Sequence, residues 1–194
     1  MVFDVVIEDE RYSDLCVPLL GEHQARNCAL AMAVCRHILP QWDIDLIRNN
    51  LARLEWPGRM EIVSQSPFIL LDACINRDST DSIKSVLSHL GINKCIFIVG
   101  IPDDKDFDGV VHSVQDLSEA VILTKSSNPH YRFSDRQYHQ LLEEGIRTIN
   151  SESVEDALRI AEGYDCPIAI LGTTSVIADV KRQMSGIETK QLSD

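Results

Sequence analysis

The sequence predicts an α/β fold: a mostly parallel sheet with helices on both faces. Three observations predict it. Beyond residue 66, short apolar runs alternate with amphipathic segments of helical period, which is the rhythm of βαβ units. Runs such as FILLD and KCIFIVG do not alternate polar with apolar, so they belong to a sheet buried on both faces. The chain has 194 residues, 44% of them hydrophobic, enough for a substantial core.

Residues 2–7 (VFDVVI) and 15–20 (LCVPLL) read as short strands, and Gly21 breaks the chain after them. From 22 to 39 the period is helical. Ala29, Ala33 and their i+3/i+4 neighbours form one apolar stripe, and Pro40 stops the helix. Residues 43–54 (DIDLIRNNLARL) form a second helix, with Asp43 as its N-cap. EWPGR then interrupts. A Pro-Gly pair between two periodic segments is a turn, and here a domain hinge.

Strand 68–72 (FILLD) follows, then helix 79–91 (STDSIKSVLSHLG), ended by Gly91. Strand 94–100, a short helix at 108–114 and strand 119–124 come next. Residues 134–145 form a helix with Ser134 at its N-cap, and 153–164 form another. PIAILG (167–172) is a strand and TSVIADVKRQM (174–184) the last helix, and the final few residues read as a frayed tail.

Bulk properties narrow the function classes. A net charge of −12 argues against sequence-independent nucleic-acid binding, which needs Lys and Arg to replace counterions. No apolar run approaches the ~18 residues of a membrane span. The start, MVFDVVIEDE, lacks the basic and apolar regions of a secretory signal. Six cysteines (16, 28, 35, 74, 95 and 166) form no C-x-x-C pair and fall mostly in apolar segments. They read as reduced, buried thiols of a cytoplasmic protein.

In open α/β sheets, ligands bind beyond the carboxyl ends of the strands. Asp72, Gly100, Thr124 and Gly172 sit at four such ends and define one rim.

Four fragments, in this order and spacing, resemble one family. LLGEHQARNCALA resembles the G-x-H-Q/N-x-x-N segment that ends the central domain of Mur-type ligases. WPGR (56–59) resembles the start of their carboxyl-terminal domain. ILLDACIN resembles their I-L-L-D-G-A-H-N-P segment, and DDKD (103–106) the D-K-D of one branch. His-Gln in place of His-Asn, together with W-P-G-R and D-K-D, points to the folylpolyglutamate synthase/dihydrofolate synthase branch. The resemblance runs from about residue 10 to 183.

The resemblance implies a Rossmann-like carboxyl-terminal ligase domain over 56–194, preceded at 1–55 by the tail of a central domain. It implies an ATP-dependent ligase that joins L-glutamate to folate through an acyl phosphate, with dihydropteroate as a second acceptor. ATP and Mg are the implied cofactors; ATP, L-glutamate and folate are the implied partners. Gln24 and Asn27 would meet the adenine edge, Asp72 the ribose hydroxyls and Arg59 the transferring phosphate, as the catalytic cation. Asn76 and Thr173 would lie at the substrate or phosphate end. None of the nine glycines is followed by lysine, so the G-x-x-x-x-G-K-[ST] phosphate cradle is absent here. The chain therefore reads either as a piece of a longer enzyme or as a truncated homologue, inactive by itself. Where the family carries histidine this chain has Ile75, which neither donates a hydrogen bond nor carries charge.

Other constellations are set aside. Asp103, Asp104 and Asp106 lack the glycine and distal glutamate of a calcium loop. His112, His130 and His139 have no metal-ligand spacing, and no metal site is expected. Arg132 is a rim candidate, and Cys74 reads as a buried thiol. The rival expectation is a non-catalytic binding or dimerisation module. The Ala-rich helix would then expose its apolar stripe and pair with a second copy.

Overall fold

The computed structural model describes residues 1–191, with side chains described through 186. It begins with a β-hairpin. Strands β1 (Val2–Ile7) and β2 (Glu10–Cys16) pair antiparallel with Ile7 opposite Glu10. Glu8 and Asp9 at the turn have φ of 50° and 66°, the left-handed backbone that a two-residue hairpin turn requires. The strand expected at 15–20 is therefore mostly not one. The second strand starts five residues earlier, inside the polar run ERYSDLC, and ends before Pro18.

Helix α1 (Glu22–Ile38) buries Gln24, Cys28 and Met32, a stripe of spacing four. Met32 joins Ile7, Tyr12 and Leu15 in a small core, and Cys28 joins Val17 and Leu19 in another. Helix α2 (Ile44–Leu51) is shorter than its apolar pattern suggests. Its N-cap is Asp43, whose carboxylate accepts from the N–H groups of Asp45 and Leu46.

The larger part is a six-stranded sheet. Its strands are β3 (Glu61–Gln65), β4 (Phe68–Asp72), β5 (Cys95–Gly100), β6 (Ser118–Leu123), β7 (Thr148–Asn150) and β8 (Ile168–Gly172), in the order β3-β4-β8-β5-β6-β7. Only β3 runs antiparallel to its neighbour. Side chains of successive residues alternate between two cores. Leu70, Phe97, Val99, Val121 and Leu171 face one side; Ile69, Ile96, Ile98, Ile122 and Ile170 face the other.

Helices α3 (Arg77–His89), α4 (Phe107–Val114) and α5 (Asp135–Glu143) cover the first face through Ile83, Val110 and Leu141. Helices α6 (Val154–Glu162) and α7 (Thr174–Gln191) cover the second through Ala157, Val176 and Val180. The Rossmann-like arrangement with both faces covered is thus present. Helix α3 begins two residues earlier than its pattern suggests because Asn76, not a serine, caps it. Ser134 precedes α5, but its hydroxyl donates to Asp103 rather than capping the helix. Helix α7 continues to Gln191, seven residues past the expected end. The frayed tail expected for the last few residues falls on 192–194, outside the described residues.

Candidate functional site

The chain between α2 and β3 is the turn that carries the W-P-G-R sequence. Gly58 has φ of 75°, and a Cβ there would meet Ile177 Cγ2 at 2.8 Å, so the turn lies directly against α7. Met60 follows with φ of 46°, a left-handed conformation uncommon outside glycine. Three hydrogen bonds fasten this backbone to the end of β4. Ala73 N–H donates to Gly58 O at 2.8 Å, Arg59 Nη1 to Ala73 O at 2.9 Å and Met60 N–H to Asp72 Oδ2 at 2.8 Å.

The turn, the end of β4 and the first turns of α1 enclose a cavity of about 200 Å³. Gln24, Asn27, Arg59 and Asp72 all line it, together with His23, Trp56, Met60, Ser79 and Ser82. Gln24 and Asn27 are joined by a bond from Asn27 Nδ2 to Gln24 Oε1 of 3.4 Å. Asp72 is 4% exposed. Burial pushes its carboxyl above the usual aspartate range, against the Met60 N–H and the Arg59 charge, which both favour the ionised form. Arg59 has no carboxylate within ion-pair distance among the described residues, and its single hydrogen bond leaves most of its donors free. A cation unpaired beside a polar cavity is suited to an anion.

His23 lies within the G-x-H-Q motif, and the sequence assigns it no role. Its ring folds over Gly21, where a Cβ would lie 2.5 Å from Cε1. Burial lowers its pKa, and Arg59 and Arg26 lower it further. Its Nδ1 is buried without a hydrogen-bond partner. Trp56, half exposed, adds an aromatic edge to the same cavity.

The other predicted residues do not line this cavity, although Asn76 is bonded to Ser79, which does. Asn76 caps α3, accepting from the Ser79 N–H and hydroxyl at 3.1 and 2.9 Å. Thr173 is buried, and its hydroxyl accepts from Val176 N–H at 3.4 Å as the cap of α7. Two of the three aspartates of DDKD, Asp103 and Asp106, are braces. Asp106 accepts from Gly109 and Arg77 N–H groups, and Asp103 accepts from Ser134 and Gln137. Arg132 is exposed, its carbonyl tied to Asp103 N–H.

Burial, then the neighbouring Asp72 charge, pushes the Cys74 thiol up to about 12, which removes it as a nucleophile at neutral pH. Of the six cysteines only Cys28, Cys74 and Cys95 are buried, and Cys16 is exposed. Among the described residues no group of three or more His, Cys, Asp or Glu is placed to hold a metal ion, and no helix is long and apolar enough to cross a membrane.

No protein-family model matches the chain. Individual relatives do. The folylpolyglutamate synthase of Lacticaseibacillus casei is 28% identical over 183 residues, covering 92% of this chain and 42% of the relative. The dihydrofolate synthase/folylpolyglutamate synthase of Mycobacterium tuberculosis is 30% identical over 124 residues, 61% of this chain and 26% of the relative. The solved structure of Mycobacterium tuberculosis folylpolyglutamate synthase complexed with ADP superposes with a TM-score of 0.79 at 25% identity, over 94% of this chain and 44% of that one. The chain thus spans less than half the length of these relatives. By sequence and by fold, the chain is similar to the carboxyl-terminal portion of Mur ligase family members of the folylpolyglutamate synthase/dihydrofolate synthase branch.

Proposed function

We propose that this chain forms one wall of the nucleotide site of an ATP-dependent ligase that adds L-glutamate to folate, with dihydropteroate as an alternative acceptor. In this scheme residues 1–55 are the tail of a central domain and 56–194 a closing domain. Gln24 and Asn27 meet the adenine edge, Asp72 the ribose hydroxyls and Arg59 a phosphate. Asn76 and Thr173 lie toward the substrate end. The chain orients the acyl phosphate and neutralises charge. Among the described residues no group of three or more His, Cys, Asp or Glu is placed to hold magnesium, and in this scheme its ligands come from the P-loop domain. Taken alone the chain is catalytically inactive and binds ATP weakly.

The convergence of Gln24, Asn27, Arg59 and Asp72 on one cavity carries this proposal. Titration of the chain with ATP and with adenosine, followed by NMR, tests it. Arg59→Met is expected to weaken ATP about tenfold, the worth of one charged hydrogen bond, and to leave adenosine unaffected. Nucleotide-induced shifts confined to residues remote from the cavity would count against it.

One observation favours the second reading, a module that self-associates. Leu30, Val34 and Ile38 stand exposed at 67%, 50% and 66% on one stripe of α1, while Ala29 and Ala33 of the expected stripe are half-buried. Light scattering separates the two. A monomer whose melting shifts with ATP supports the ligase wall; a nucleotide-blind dimer that Val34→Glu dissociates supports the module.

A further inference from the structure

Arg59 is placed by its backbone more than by its side chain. Its guanidinium makes one hydrogen bond, to Ala73 O. Where the remaining donors point depends on the turn that carries it. That turn is held on one side by β4 and on the other by a single carboxylate. Glu61 Oε2 accepts from Gly58 N–H at 2.7 Å, and both Glu61 oxygens receive Lys181 Nζ, at 2.7 and 3.0 Å. Lys181 lies 120 residues away in sequence, one turn of α7 beyond the Ile177 against which Gly58 packs. Glu61, the first residue of β3, therefore links the amide inside the turn to the second-face helix.

We propose that the Glu61–Lys181 pair is a positioning device that holds the Arg59 guanidinium in place for a phosphate of the bound nucleotide. The proposal rests on the nucleotide reading above. Both partners are partly exposed, with side-chain accessibilities of 29% and 38%, so the pair adds little to global stability. Its effect is geometric. A turn released from α7 lets the guanidinium drift, and small displacements of a charged contact cost affinity steeply. The nucleoside part of the ligand, which this reading assigns to Gln24, Asn27 and Asp72, is insensitive to the pair.

The test uses the full chain, with wild type, Lys181→Met and Lys181→Arg compared by NMR titration with ATP and with adenosine, and by amide exchange. Lys181→Met is expected to weaken ATP about fivefold to tenfold and to leave adenosine within about twofold. It should also speed Gly58 amide exchange about tenfold while β5 amides keep their protection. Lys181→Arg, which keeps the charge, should restore all three. Equal loss of ATP and adenosine, or unchanged Gly58 exchange, overturns the proposal. If wild type binds ATP and Lys181→Met binds it equally well, the positioning role fails alone. If wild type binds neither ligand, the nucleotide reading fails and the phosphate role falls with it.

Discussion

Gly172→Ala is expected to destabilise the chain by about 4 kcal/mol or more, a fall in Tm of about 10 °C or more. Gly172 closes β8, directly opposite Gly100 at the end of β5. A Cβ at 172 would lie 2.5 Å from Gly100 O, 3.1 Å from Gly100 C and 3.2 Å from Val176 Cβ. Two of these atoms belong to the backbone of a neighbouring central strand, so no rotamer change relieves the contact. The strands would have to part at their carboxyl ends, where β5 and β8 are buried among Val99, Leu171 and Val176. Thermal or urea denaturation checks the expectation. Gly163→Ala is the control, because its added Cβ would have one close neighbour, Ile160 O at 3.3 Å. A Gly172→Ala protein that melts with the wild type would show that the strand ends yield freely.

The second large effect is at Asp179, in α7. This carboxylate is 7% exposed and gathers the loop after β6. It accepts from Ser127 N–H and Ser127 Oγ, both at 2.7 Å, from Ser126 Oγ at 3.0 Å, and from Arg182. Asp179→Ala leaves a partly buried hydrogen-bond group, the Ser127 amide and the Ser126 and Ser127 hydroxyls, without its acceptor. The expected loss is about 3 kcal/mol, a fall in Tm of about 10 °C. Burial works to raise the pKa of this group. The hydrogen bonds from Ser127 and Ser126 and the charge of Arg182 outweigh it and hold the folded value below the ordinary 3.8.

The sign follows. Stabilisation is fully present above the ordinary value and disappears as pH falls through the lower folded one. The gap in stability between wild type and Asp179→Ala should therefore stay constant at neutral pH and close only below about pH 4. Denaturation curves across that range measure it, and a gap that opens on acidification would contradict the sign.

What the sequence made legible, it did through local pattern. β4, β5, β6 and β8 are continuous apolar runs buried on both faces, and such runs stand out without any structure. The helices carried their period, and Asp43 its cap. The strands that escaped are those whose character comes from their partners. β7 has three residues and lies at the sheet edge. β3 is the other edge, half-buried and antiparallel to β4. β2 is a polar run made a strand by the hairpin turn at Glu8–Asp9.

The candidate site divides in the same way. Gln24, Asn27, Arg59 and Asp72 were legible because they sit inside short motifs with recognisable order. Ser79 and Ser82, which line the same cavity, carry no motif of their own. The Glu61–Lys181 contact joins residues whose separation along the chain leaves no pattern to read. Asn76 and Thr173 have plain capping duties that a motif cannot distinguish from a ligand contact.

The cavity is a seam between unlike neighbours. Gln24 and Asn27 stand on a helix whose apolar side rests on the small cores around Tyr12, Leu15 and Val17; Asp72 stands on the broad sheet and Arg59 on the turn that leads into it. A molecule lodged there acts as a rivet, and its binding energy counts toward keeping the two masses in register. Loosening of the smaller one would eject the guest while the sheet stays whole. Affinity at this seam is therefore a measure of cohesion as much as of contact.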